Sequence, residues 1–158
     1  FVFTALAVMT PMIAHYFGGV AAGRLFLPMH FFVLSAGLLL GWRAGLAVGI
    51  LTPLISYSLT GMPLMAILPF IMIESAGYGF FAGYLRDKLK NTWVSLLGAL
   101  LLGRICLALA IMLLPTKLIA SQYILDTISA GWRGIALQVI LVPLVVLALG
   151  KFLQNERA

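Results

Sequence analysis

Four ionisable side chains, His15, His30, Glu74 and Arg104, fall inside apolar runs of this 158-residue chain. An ionisable group in a hydrocarbon core costs a few kcal/mol at least, so it faces a partner or a cavity. Glu74 lies twelve residues before Arg86, roughly 18 Å from that charged boundary at helical rise. Arg104 lies eleven residues after Trp93, at roughly 16 Å on the next, antiparallel run. The matching depths support two readings that can both hold. One is an internal ion pair tying the two helices together; the other is that one or both groups reach a polar ligand in a cavity above them.

Other chemistry finds no constellation. His15 and His30 are the two histidines, and neither stands at metal-ligand spacing from a Cys or Asp, so neither a metal nor another cofactor is expected. No serine has a His and acid partner for nucleophilic catalysis. No glycine-rich stretch ends in Gly-Lys-Ser/Thr, so the chain carries no phosphate-binding loop and is not expected to be an enzyme. Cys106 is the single cysteine and lies in an apolar run, which rules out an internal disulfide and suits a small packing residue.

The elements that must hold these residues are membrane helices. Apolar residues make up 63% of the chain and charged ones 9%, too little charge for the surface of a soluble domain. The net charge of +6 is spread thinly between apolar runs, which reads as topology signals and not as a nucleic-acid surface. The chain begins at Phe1 with no cleavable signal pattern, and a few leading residues are expected before it.

Six runs are long enough to span, allowing for tilt and thinning. The first covers Phe1 to about Phe17 and leads into a small-residue loop, Gly18 to Arg24. The second runs from about Leu27 to Gly41 and the third from about Ala44 to Thr60, with Thr52-Pro53 as a kink whose hydroxyl can satisfy freed backbone groups. Gly37, Gly41, Gly45 and Gly49 repeat every four residues through the join of runs two and three. Small residues at this spacing let helix backbones approach closely, so the stretch reads as a tight hairpin around which the bundle is organised. Gly61-Met62-Pro63 is a turn, run four covers about Leu64 to Leu85, and Arg86 to Asn91 is a polar connection. Run five spans about Trp93 to Leu114. Pro115 to about Ala130 suits an interfacial loop or short surface helix, run six covers about Gly131 to Leu149, and the tail is solvated.

This predicts an all-α integral membrane protein, a bundle of six transmembrane helices forming one domain over residues 1–158. Six spans put both termini on one side, with Arg43, Arg86, Lys88, Lys90, Lys151 and Arg157, against Arg24, Lys117 and Arg133 on the other. The positive-inside rule makes the first side, and both termini, cytoplasmic. His30 then falls in the outer third, as a packing residue or a ligand contact. Arg24 and Arg133 flank the outer boundary as snorkelling anchors or, for Arg133 with Trp132 beside it, as part of a positive outer mouth. Basic groups outnumber Glu74 and Asp126 in that half, which suits a carboxylate-bearing ligand. Tyr57, Tyr78, Tyr123 and Trp132 could line a wall for a ring, although Tyr and Trp also belong at interfaces without any ligand.

The order LPMHFFVLSAGLLLGWRAGLAVG, then TPLISYSLTGMP, then a helix with Glu74 and the run Ala76-Gly77-Tyr78-Gly79, resembles the substrate-binding S components of energy-coupling factor (ECF) vitamin transporters. The resemblance covers about Leu27 to Leu85. It implies a multi-pass subunit in the plasma membrane of a prokaryote that captures a vitamin or vitamin precursor from outside. Its partners would be a transmembrane coupling subunit and two cytoplasmic ATPases, which hydrolyse the ATP, with the S component toppling in the bilayer. It puts Arg24, His30, Glu74, Tyr78, Arg104, Trp132 and Arg133 within reach of the ligand. Pantothenate is the first candidate by charge, and a folate-like or pyrimidine compound the second.

Many members of that family dock through two alanines four apart on helix 1. Here Ala5 and Ala7 are the candidates, but Met9 and Pro11 stand where the second alanine would be. Two other functions compete. A self-sufficient oligomeric carrier or channel would use Glu74 as its ion site, and a lipid-modifying enzyme would need a nucleophile or metal that the sequence does not show.

Overall fold

The computed structural model describes residues 1–26, 28–116 and 120–155, without the side chains of 14, 15, 18–26, 28, 120, 121, 130 and 151–155. Among these it is all helical: α1 (Val2–Phe26), α2 (Pro28–Leu40), α3 (Trp42–Thr60), α4 (Leu68–Leu89), α5 (Thr92–Leu113) and α6 (Ala120–Asn155). Two stretches, Thr92–Leu113 and Gly131–Gly150, are long and apolar enough to cross a bilayer, and Val2–Ile13 and Met29–Leu40 are shorter apolar segments.

The outer surface is studded with large apolar side chains, as suits a chain solvated by lipid. On α5 the large residues Leu97, Leu101, Ile105, Leu109 and Met112 point outward at helical spacing. Ser95, Ala99, Gly103 and Ala110 point inward, together with the large residues Leu96, Leu107 and Ile111. In hydrocarbon there is no hydrophobic gain from burying leucine between helices, so close packing of small residues drives association instead.

The centre of the bundle is α2, which touches each of the other five helices. Residues 33–38 are buried on every side, as a helix that is apolar all round requires. One residue, Gly41, joins α2 to α3 with φ 88°, a backbone conformation that L side chains avoid. The four-residue glycine repeat does what its spacing suggests, and it also brings in a third helix. A Cβ on Gly45 would strike the carbonyl of Gly79, one on Gly49 the carbonyl of Ser75, and one on Gly37 the same Gly79 carbonyl. The contacts of Gly45 with Gly79, Gly49 with Ser75 and Gly83 with Trp42 run in opposite directions along α3 and α4, so the two helices are antiparallel with their backbones in contact.

Several expected boundaries are corrected. Gly18 to Arg24 is not a loop: the backbone of α1 stays helical to Phe26. Glycines lower helix stability in water, but an apolar environment forces the backbone to bond to itself. The segment after Pro115 is not a separate element before helix 6, because α6 begins at Ala120 and runs unbroken for 36 residues through Pro143. Its first turns are amphipathic, with Tyr123 and Ile124 packed on Phe70, Leu107, Ala110 and Ile111. At about 1.5 Å per residue α6 is about 54 Å long, longer than a hydrocarbon core of about 30 Å.

Helix 4 starts at Leu68 instead of Leu64, which places Pro69 in the first turn, where a missing N–H costs nothing. The charged Arg86 to Leu89 form its last turn, Lys90 closes it in a left-handed conformation, and Asn91 caps α5 by accepting from the amides of Trp93 and Val94. The Thr52 hydroxyl does not serve the backbone freed by Pro53; it is buried with no hydrogen-bond partner among the described residues.

Substitutions at three glycines separate these contacts. Gly79→Ala drives a methyl into the Gly45 backbone, which has nowhere to move. At Gly98 the neighbour is the flexible end of Leu85, 2.6 Å from an added Cβ, and Gly150 has open space. Gly79→Ala should destabilise the detergent-solubilised protein by about 1–3 kcal/mol or more, Gly98→Ala by less, and Gly150→Ala not at all. Thermal unfolding followed by tryptophan fluorescence ranks the three.

Candidate functional site

The antiparallel run of α4 against α5 is also set by small residues. A Cβ on Gly77 would lie 3.3 Å from the Gly103 Cα and 3.3 Å from the Cys106 Sγ, and one on Gly103 would overlap the Tyr78 ring. With no side chain on Gly103, that ring packs directly against the α5 backbone. This register puts Arg104 across from Glu74.

Arg104 Nη1 lies 2.7 Å from Glu74 Oε1. Tyr78, one turn along α4 and so on the same face, donates its hydroxyl to the same oxygen at 2.8 Å. Glu74 is 3% exposed and Tyr78 2%. Burying two charges costs several kcal/mol per ion, offset only when geometry and further hydrogen bonds are good; here the Glu74 oxygen accepts from the Tyr78 hydroxyl and lies in ionic contact with Arg104, whose buried Nη1 has no hydrogen-bond partner among the described residues.

His30 of α2 also meets the Tyr78 ring, in an edge-to-face contact with centroids 5.1 Å apart at 81°. Its Nε2 is buried and has no hydrogen-bond partner among the described residues. An unmet buried polar group costs about 1–3 kcal/mol, so this nitrogen marks a position where a bonding partner would be gained. Chemically, the cluster offers the unshared Glu74 oxygen as acceptor, the remaining guanidinium N–H groups of Arg104 as donors, and a ring nitrogen.

Of the residues expected at the site, His30, Glu74, Tyr78 and Arg104 come together. Trp132 and Arg133 are both exposed, with the Arg133 guanidinium 5.5 Å from the ring of its own neighbour Trp132. The side chains of Arg24 and His15 lie outside the described residues. Tyr78 is no stacking wall, since its ring is enclosed by His30 and the Gly103 backbone. Tyr123 packs in the second core cluster. Of the docking candidates, Ala7 is wholly buried and Ala5 is exposed.

Ser75 and Gln138 are buried polar residues that spacing and composition did not single out, and Thr52, expected to serve the kink at Pro53, is buried as well. Ser75 and Thr52 carry hydroxyls with no hydrogen-bond partner among the described residues, and both belong to the α3–α4 seam near Gly49. The signal was available, a polar residue inside each apolar run, but single hydroxyls and amides are common in membrane helices and do not stand out.

The coupling of the ion pair is testable. Arg104→Met leaves Glu74 buried and unpaired and should cost about 3–5 kcal/mol, whereas Glu74→Leu with Arg104→Met should recover much of that loss. Unfolding of the single and double variants in detergent reads this directly; additive effects would mean that the two groups are not coupled.

Searches of curated proteins and of solved structures return no match. A family model for the substrate-specific component of ECF transporters matches residues 2–152, nearly the whole chain and both helices that carry the buried pair. An apolar helical bundle with a charged, incompletely partnered cluster inside it is what a membrane-embedded binding subunit needs, and the chain belongs to the ECF transporter substrate-specific component family.

Proposed function

We propose that this substrate-binding subunit captures a vitamin or vitamin precursor at the Glu74–Arg104–Tyr78–His30 cluster, in the outer half of a bundle that crosses the membrane six times with both termini in the cytoplasm. It would work in the plasma membrane of a prokaryote with a transmembrane coupling subunit and two cytoplasmic ATPases that supply the energy. The observation that carries the site is the buried, unpartnered His30 nitrogen beside an ion pair with hydrogen-bonding capacity to spare. Residues 1–158 act as one domain in this reading. Docking on the coupling subunit would use the exposed side of α1, where Ala5 lies with Met9 and Ile13, and not Ala7.

The pair also bears on the ligand. Glu74 already neutralises Arg104, so the cluster by itself has no positive charge to offer a carboxylate. A pantothenate-like anion would need Arg24 or Arg133 to move in over the site. A pyrimidine or folate-like ring is served by the pair as it stands, with a ring N–H donated to Glu74 and the adjacent carbonyl accepting from Arg104. The geometry therefore favours the ring compound over the anion. An autonomous carrier using Glu74 as an ion site gains nothing from a carboxylate that Arg104 and Tyr78 already occupy.

Mass spectrometry of small molecules released by denaturing the purified protein tests this reading. The wild type should release one vitamin-sized species, which the folded Glu74→Leu, Arg104→Met double variant lacks. Equal release from both would remove the ligand from this cluster. A folded wild type that carries no ligand, and binds neither a pyrimidine nor a folate-like compound nor pantothenate, would count against vitamin capture itself.

A further inference from the structure

At the end of the α3–α4 pair away from the Gly61 turn, three aromatic rings form a continuous run. Trp42 meets Phe80 edge-on at 5.6 Å, and Phe80 stacks on Tyr84 at 5.7 Å with the planes 8° apart. A cation sits on each terminal ring: the Arg43 guanidinium 5.2 Å from the Trp42 centroid, and the Lys88 ammonium 5.9 Å from that of Tyr84. Both distances lie within the range of a cation–π contact. The rings hold the two cations, which are exposed.

Among the described residues, the other charged groups at this end of α3 and α4 are Arg86, Lys90 and Asp87. Arg86 is engaged, donating from Nη1 to the Lys90 carbonyl at 2.6 Å and so closing the end of α4. Asp87 is the single acid among these five, so the end carries an excess of positive charge. Beyond the cations the same helix faces turn apolar. From Arg43, the α3 positions at helical spacing are Ala47, Ile50 and Leu54, all exposed; from Lys88, the α4 face passes Tyr84 and Phe80 to the exposed Ile73.

We infer that this face binds anionic phospholipid, with headgroup phosphate at Arg43 and at Lys88 and acyl chains along the exposed apolar side of α3 and α4. The occupant follows from charge and shape together. Cations seated on aromatic rings meet phosphate at headgroup level, where tryptophan and tyrosine rings are at home. The apolar strip that continues from them is matched by lipid tails. A soluble anion would leave that strip unused. Basic residues beside membrane helices attract anionic lipid by about 1 kcal/mol each, and an α4 end fixed by the Arg86 bond holds Lys88 in place for it. This lipid site is separate from the buried cluster, so its test is independent of the vitamin reading.

Native mass spectrometry of the delipidated protein with phosphatidylglycerol or phosphatidylcholine of matched chain length decides it. Phosphatidylglycerol should be retained in preference, and Arg43→Gln with Lys88→Gln should cut that retention by roughly thirty-fold, toward the level of phosphatidylcholine. If the double variant does not fold, as read by circular dichroism, Lys88→Gln alone on its exposed side chain should still lower retention by about five-fold. Equal retention of the two lipids by the wild type overturns the inference, as does an unchanged preference in the folded variants. Lipid preference kept while the double variant loses co-purification with the coupling and ATPase subunits would assign the patch to an acidic protein surface, and also overturns it.

Discussion

The contact of bare backbone on backbone between α3 and α4 sets the geometry of the remaining helices. Where Gly45 faces Gly79 and Gly49 faces Ser75, the helices meet without intervening side chains. In lipid this closeness is the main source of attraction between helices, since leucine gains little by leaving one apolar medium for another. Gly37 brings α2 onto the same Gly79 carbonyl, so three helices share one junction. The junction fixes the rotation of α4 about its axis. Glu74 and Tyr78, a turn apart, are thereby turned toward α5 and α2 and away from lipid.

The ion pair depends on that rotation and does not create it. A buried pair is weak evidence for stability, because desolvation consumes much of the attraction. Its value lies in making two charges tolerable inside an apolar bundle while leaving hydrogen-bonding capacity unused. The missing side chain at Gly103 lets the Tyr78 ring pack against α5 and send its hydroxyl to Glu74. His30 meets that ring edge-to-face. A subunit that must recognise a polar molecule within a membrane needs polar groups held apart from water by apolar walls, and these three helices supply both.

The two ends of the α3–α4 pair differ in the same physical terms. At the Gly61 turn the chain reverses through apolar and small residues, whereas the opposite end carries cations seated on rings. The asymmetry places the charged connections Trp42-Arg43 and Arg86 to Lys90 together, because the antiparallel seam brings the start of α3 beside the end of α4. Their shared position is a consequence of the glycine contacts, just as the buried pair is.

Composition and spacing alone determined that the chain is helical and suited to lipid, that glycines at four-residue intervals pack backbones, and that Glu74 and Arg104 lie at one depth on neighbouring helices. These follow from local quantities: hydropathy, helical rise and the period of small residues. Where helices end was less legible. Gly18 to Arg24 looks like a loop by its glycines, yet its backbone remains helical to Phe26. Polar and apolar residues after Ala120 alternate as an amphipathic helix continuous with α6, although their composition resembles a surface segment. Only the tertiary structure decided which way each helix faces. Tyr78 turned inward as a hydrogen-bond donor, Trp132 and Arg133 turned outward, and His30 was left with an unmet nitrogen. Rotation about a helix axis depends on contacts between distant segments, and no local property of those residues encodes it.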